Sequence, residues 1–413
     1  MLTLIENALV WDAEHAGRRA ADVLVDEGRI ARISEQRGAL RAQTGDVGRH
    51  VDGSGCTLMP GLVEGHCHLS FTALTSNADV GNIPPEDHVL ASAANATLLL
   101  RHGFTSAFSA ASARMRIDVA LRNAINAGQL AGPRLRAAGP ELTVTGGLGD
   151  EGQMHQQRIG FGLVADGPQA MRLAARTCVR EGVDNLKINI SGDQFVPHAL
   201  GEQTPLCVDE LDAFMEIARK YGKTTVAHAR SSESVKMAVR AGIDCIYHCD
   251  YADSEALDML EANKDKLFVG PAFGLLHNTV KEHELFGMPR EVVEQMKMEH
   301  KFKSCIATYK ELHKRGVRIV VGGDYGFSLT PMGTNARDIS HFVEFFGFST
   351  ADALRCATAV GADLMGLRHE LGLVREGFLA DLLLVEGDPT EDVGLLQKQS
   401  NLRMVMKEGI ICF

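Results

Sequence analysis

Leu58-Met59-Pro60-Gly61-Leu62-Val63-Glu64-Gly65-His66-Cys67-His68 is an apolar run that ends in two histidines at i and i+2. Side chains two apart on an extended strand share a face, so both imidazoles can reach one cation. The same texture recurs downstream. Apolar strands are read in DNLKINI (184–190), TTVAHA (224–229), DCIYHCD (244–250), KLFVGPA (266–272) and RIVVGGD (318–324), each followed by a helical or looped stretch. Repeated strand–helix units imply a parallel sheet.

Four of these strands carry a polar group at or near their ends: Lys187, His228, His248 and Asp324. In a barrel of such units that end is where the chemistry sits. The expected fold is α/β, a distorted TIM (β/α)8 barrel over residues 61–371. Outside it the texture changes. LTLIENALVW (2–11), ADVLVDEGRIARI (21–33) and HVDGSGCTLMPG (50–61) are short strands punctuated by Gly and Asp, and GLVREGFLADLLLVEGDP (372–389) with NLRMVMKEGIICF (401–413) reads the same way. The two ends, 1–60 and 372–413, are expected to build one small β-sandwich.

Size permits this, since the 413 residues exceed one comfortable core and barrels of about 250 residues stand as one unit. Hydrophobic residues at 45% and charged residues at 23% suit a globular chain and exclude a fibrous or disordered one. A net charge of -11 without a basic cluster disfavours nucleic acid. Acidic residues interrupt the N-terminal apolar run, and no membrane-length apolar stretch follows. The expected partner is a small molecule, and the expected setting is a cytoplasmic homo-oligomer. Nine cysteines without a CxxC pair fit reduced thiols. Cys67 and Cys249, beside histidines, are expected to pack in the core.

A lysine in the middle of DNLKINI would bury an unpaired ammonium, which costs several kcal/mol. Reaction of Lys187 with carbon dioxide would remove that charge and give a carbamate able to bridge two cations. His66, His68, His228 and His248 with that carbamate and Asp324 form a ligand set suited to two divalent ions, most simply zinc, with cobalt or manganese also accepted. Such ions would lie about 3.5 to 4 Å apart with a hydroxide between them. Asp324 could take the proton of the attacking water and pass it to a leaving nitrogen. Lys187, His248 and Asp324 are thus the expected catalytic residues.

On these motifs the chain resembles the amidohydrolase superfamily over nearly its whole length. The matching pieces are MPGLVEGHCHL, LKINISGD, VAHA, IYHCD, GGDYG and EGFLADLLLVEGDP. The resemblance implies metal-dependent hydrolysis of an amide-like C–N bond. NATLLLRHGFTS, AGPRLRAAGPELTVTGG, KMAVRAGIDCIYH and MGTNARDISHFVEFFGFSTADALRCAT look most like the branch of Xaa-Pro dipeptidases, ochratoxin-type amidases and phenylurea and molinate hydrolases. Two departures bear on substrate: prolidase-like members usually continue TGG with a His where Leu148 stands, and read GFTTVRD where residues 103–109 are GFTSAFS. They turn the expectation from dipeptides towards a less polar amide, anilide, urea or carbamate.

Xaa-Pro dipeptide cleavage is the next reading. A one-metal deaminase would carry a Glu three residues beyond the strand-five histidine, but His228 is followed by Ala229, Arg230 and Ser231, and Glu233 is off that spacing. A non-catalytic binding or assembly relative would have no need of all six ligand types. Arg230, two residues after His228, could hold a substrate carboxylate or carbonyl. Tyr251 and Tyr325 could donate to an oxyanion. Phe71, His88, His155 and His198 are candidate rim residues, and HNTVKEHELFGMP, with His277 and His283, reads as a flap or helix.

Overall fold

Strand pairing is parallel wherever apolar runs alternate with helices in the computed structural model, which describes residues 2–44, 48–72, 76–156 and 158–413. Leu62–Cys67, Phe104–Ser109 and Arg134–Arg136 form one parallel sheet. Glu141–Thr143, Asn185–Asn189, Thr224–Ala229, Cys245–His248 and Phe268–Gly270 run side by side in a second, with Gly162–Val164 at its edge. Every residue of Asn185–Asn189 and Cys245–His248 is buried. Strands covered on both faces carry continuous apolar runs for that reason.

Parallel bridges link these sheets: Ala138 to Asn185, Val269 to Ile319 and Cys67 to Tyr325. The Gly65 N–H donates to Val321 O at 2.8 Å, so the segment around 319–325 lies against the first strand. RIVVGGD does not form the ladder its apolar run predicts, making single bridges instead. Gly322 explains the approach, because a Cβ there would sit 2.5 Å from the His66 backbone nitrogen and Cβ.

Helices cover the outside. Ser231 accepts from Ser234 N–H to start Ser232–Ala241, and Gly242 at φ 78° ends it; both are ordinary capping choices. The longest helices, Pro85–Arg101 and Met298–Lys314, are short of membrane character, and no described helix is long and apolar enough to cross a membrane.

The chain ends build two further sheets. Cys56–Pro60 lies between Leu382–Glu386 and Leu9–Val10, so three C-terminal strands and three N-terminal strands join at that pairing in one six-stranded sheet. The other contains Thr3–Glu6, Asp22–Asp26, Arg29–Ser34 and Arg49–Asp52. Ile5, Val23 and Ile30 of the latter pack in one cluster with Leu58, Leu384 and Met404 of the former. Val374 belongs to this cluster, whereas Leu371 packs with Val63 and Phe108 of the parallel strands.

Candidate metal centre

The strand ends converge on a cleft lined by His66, His68, Lys187, His228, His248 and Asp324, among others. His66 and His68 leave the strand Leu62–Cys67 on one face, and their Nε2 atoms lie 3.6 and 3.2 Å from Asp324 Oδ1. His228 and His248 come from adjacent strands, with ring centroids 4.2 Å apart.

Hydrogen bonds behind the rings fix which nitrogen faces inward. The His68 Nδ1–H donates to Ala111 O at 3.1 Å, which turns Nε2 towards Asp324. His228 Nε2 meets Gly192 O at 3.0 Å, which leaves the Nδ1 lone pair available. His66 Nδ1 and His248 Nδ1 are buried without a hydrogen-bond partner. Burial, with Arg230 and other cationic neighbours adding to it around His228 and His248, holds His66, His228 and His248 well below the usual imidazole range. Burial alone would raise Asp324, but the adjacent His66 and His68 hold its carboxyl well below the usual carboxylate range. Donor atoms of His66, His248 and Asp324 all lie within 4.8 Å of one another.

Imidazole nitrogens of His66 and His248 that converge with an Asp324 carboxylate oxygen in a buried cleft form a donor set that fits a divalent cation. The backbone at two of the ligands is left-handed. His248 and Asp324 have φ of 80° and 62°. Non-glycine residues reach this left-handed region at a cost of about 1–3 kcal/mol, which persists where surrounding structure imposes it.

Lys187 is 1% exposed, but it is not unpaired. Its Nζ lies 3.5 Å from Glu141 Oε1, while Asn189 Nδ2 donates to Glu141 Oε2 at 2.5 Å and to Leu148 O at 3.0 Å. The premise that this lysine lacks a counter-charge is therefore corrected: a carboxylate from the neighbouring strand supplies one.

Three expected substrate contacts have other partners. The Arg230 Nε donates to Asp193 Oδ2 at 2.6 Å and its Nη1 donates to Asp250, leaving the residue 1% exposed behind the cleft. The Tyr325 hydroxyl lies 3.2 Å from Asp338 Oδ1, fully buried and away from the cleft. Tyr251 OH accepts from Gln194 Nε2 at 3.1 Å and its ring stacks on His300.

Of the rim candidates only Phe71 lines the cleft. His88 is buried against Ser70 O, and His155 and His198 are exposed. The HNTVKEHELFGMP stretch splits into the end of the helix Phe273–Lys281 and a turn, His283–Phe286. His277 stacks on His341 at 4.4 Å, away from the metal ligands. Cys67 and Cys249 are buried, and burial pushes both thiols well up.

Several functional neighbours escaped the sequence reading. Glu141 and Asp193 line the cleft, and Tyr247 stacks on His66 at 3.8 Å. Glu64, two residues before His66, accepts from Asn335 Nδ2 at 2.8 Å, and burial pushes its carboxyl up to about 8. A carboxylate within an apolar strand was the available signal for Glu64 and Glu141.

Ochratoxinase of Aspergillus niger is 26% identical over 375 residues, covering 85% of this chain and 75% of that protein. The crystal structure of a Xaa-Pro dipeptidase with bound methionine in its active site superposes with a TM-score of 0.89 at 26% identity, covering 100% of this chain and 99% of the other. Molinate hydrolase shares the fold, with a TM-score of 0.78 at 19% identity over 99% of this chain and 94% of that one. The amidohydrolase family matches residues 57–412, and the chain belongs to that family.

Proposed function

We propose that this protein is a metal-dependent hydrolase that cleaves an amide-like C–N bond, in an amide, anilide, urea or carbamate, at the strand ends of a distorted (β/α)8 barrel. In this reading residues 1–60 and 372–413 form a β-sandwich beside the barrel, and the partner is a small molecule. The observation that carries it is the convergence of donor atoms of His66, His248 and Asp324 within 4.8 Å of one another, with His68 Nε2 3.2 Å from Asp324 Oδ1.

His66, His68, His228, His248, Asp324 and Lys187, the last as a carbamate, would hold two divalent ions, zinc foremost. Bound there, such ions make water acidic enough to ionise near neutral pH and polarise the scissile carbonyl. Asp324 accepts the proton of the attacking water and returns it to the leaving nitrogen. A C–O bond forms as the C–N bond breaks, the oxygen stays on the carbonyl carbon and the hydrogen leaves with the amine. Burial keeps His66, His228 and His248 unprotonated, so their lone pairs remain available at neutral pH.

The position where a deaminase would carry its proton-shuttling Glu is Ser231, which caps the following helix, and Glu233 lies on the surface 3.5 Å from Arg240. Hydrolysis is favoured over deamination on that ground. Asp324→Asn in the metal-loaded protein should keep the fold and slow anilide or urea hydrolysis by at least about a hundredfold. Near-normal rates would remove Asp324 from proton transfer.

A further inference from the structure

One wall of the cleft is aromatic. The Phe71 ring stacks on the His68 imidazole at 4.3 Å and 9°, meets Phe161 edge-on at 5.4 Å, and lies 5.1 Å from Phe327. Leu148 packs in the same cluster and lines the same cleft. Leu148 and Phe161 stand on the segment after the strand Glu141–Thr143, and Phe327 stands three residues after Asp324. With Phe71 on the segment after the strand Leu62–Cys67, the wall comes from three loops that flank the metal ligands.

The polar lining has one sign. Glu141, Asp193 and Asp324 bring carboxylates to the cleft, while Lys187 is the only lysine or arginine among the described lining residues, and it is committed either to Glu141 as an amine or to the metal site as a carbamate. Nearby cations are committed elsewhere. Arg230 pairs with Asp193 and Asp250, and Lys301 donates to Gln194 Oε1 at 2.6 Å with Asp193 at 3.9 Å and Asp250 at 4.0 Å. A substrate carboxylate beyond the scissile bond would enter this cleft without a free counter-ion, and a buried unpaired charge is costly. A flat uncharged ring can pack against the faces and edges of Phe71, Phe161 and Phe327, which line the cleft.

We infer that the site selects uncharged aryl amides, ureas or carbamates and rejects substrates with a free carboxylate, and that Phe71, Phe161, Phe327 and Leu148 are the residues that set this choice. The inference rests on the hydrolase reading for its chemistry but on the cleft wall for its selectivity, and the two can fail separately.

The test compares acetanilide, 4-acetamidobenzoate and an Xaa-Pro dipeptide on the metal-loaded protein, with calorimetric binding of aniline and 4-aminobenzoate to the same protein. Acetanilide should exceed 4-acetamidobenzoate in kcat/KM by at least about a hundredfold, the scale of an unpaired buried charge. Phe161→Ala should raise the KM for acetanilide roughly tenfold with little change in kcat, the scale of a lost aromatic contact. Leu148→Arg should raise activity on 4-acetamidobenzoate by about tenfold or more. If Phe161→Ala does not fold, Phe161→Leu and Leu148→Arg carry the same readouts.

Dipeptide or 4-acetamidobenzoate cleavage as efficient as that of acetanilide would overturn the inference and leave the hydrolase reading standing. If no amide is cleaved, but aniline binds more tightly than 4-aminobenzoate and Phe161→Leu weakens it, the hydrolase reading falls and the selectivity stands. Equal or tighter binding of 4-aminobenzoate sinks the selectivity in either case.

Discussion

Two buried polar clusters adjoin in this protein and are built on opposite terms. In one, Arg230 and Lys301 face Asp193 and Asp250, so each charge has an opposite charge within 4.0 Å. In the other, imidazoles from three strands gather round the single carboxylate of Asp324, with His66 Nδ1 and His248 Nδ1 left without partners. Only Asp193 touches both, 3.7 Å from His228 Nε2 while bonded to Arg230. The difference lies in charge balance: the first cluster is a paired network and a structural element, whereas the second gathers acceptors in a geometry suited to a cation.

That contrast breaks most sharply at Lys187. Lys187→Ala should lower bound metal from two ions per chain to one and remove most activity, with partial recovery by added short-chain carboxylic acids and no large change in folding. Metal content and turnover unchanged by the substitution would take the carbamate out of the mechanism. Arg230→Met should do the reverse. It leaves Asp193 and Asp250 without their guanidinium, at a cost of about 3–5 kcal/mol in urea unfolding, and should leave metal stoichiometry at its wild-type value. A metal loss equal to that of Lys187→Ala would merge the two clusters into one.

A smaller effect sharpens the same comparison through pH. His66, His228 and His248 are held below the ordinary imidazole value of 6.5 by burial. In the metal-free chain the unfolded state then takes up protons that the folded state refuses, so stability is unaffected above about pH 6.5 and falls as pH drops below it. Replacing His248 by Asn should flatten this slope by about one proton, as read from unfolding midpoints across pH. An unchanged slope would mean that His248 is protonated in the fold.

Much of the centre was legible because strands have a period of two and parallel strands are apolar throughout. His66 and His68 follow from the first rule, and Lys187, His228, His248 and Asp324 from the second, since each interrupts or ends an apolar run. What could not be read was the partner across the sheet. Glu141 is 46 positions from Lys187, and only the pairing of Leu142 with Ile188 brings them together. The sequence offered Arg230 a place on the His228 face, but the strand ends at Ala229 and two aspartates from separate loops capture the guanidinium. Phe161 and Phe327 escaped for a similar reason, as their loops carry no periodicity to reveal which way a ring points.

The most direct test of the account is metal content. Purified chain dialysed against zinc, then against metal-free buffer, should retain two ions per chain, and the variant His68→Ala with Asp324→Ala should lose at least one of them while remaining folded. A wild-type chain that keeps no zinc, or a double variant that keeps both ions, would contradict the claim that these acceptors converge in order to hold cations.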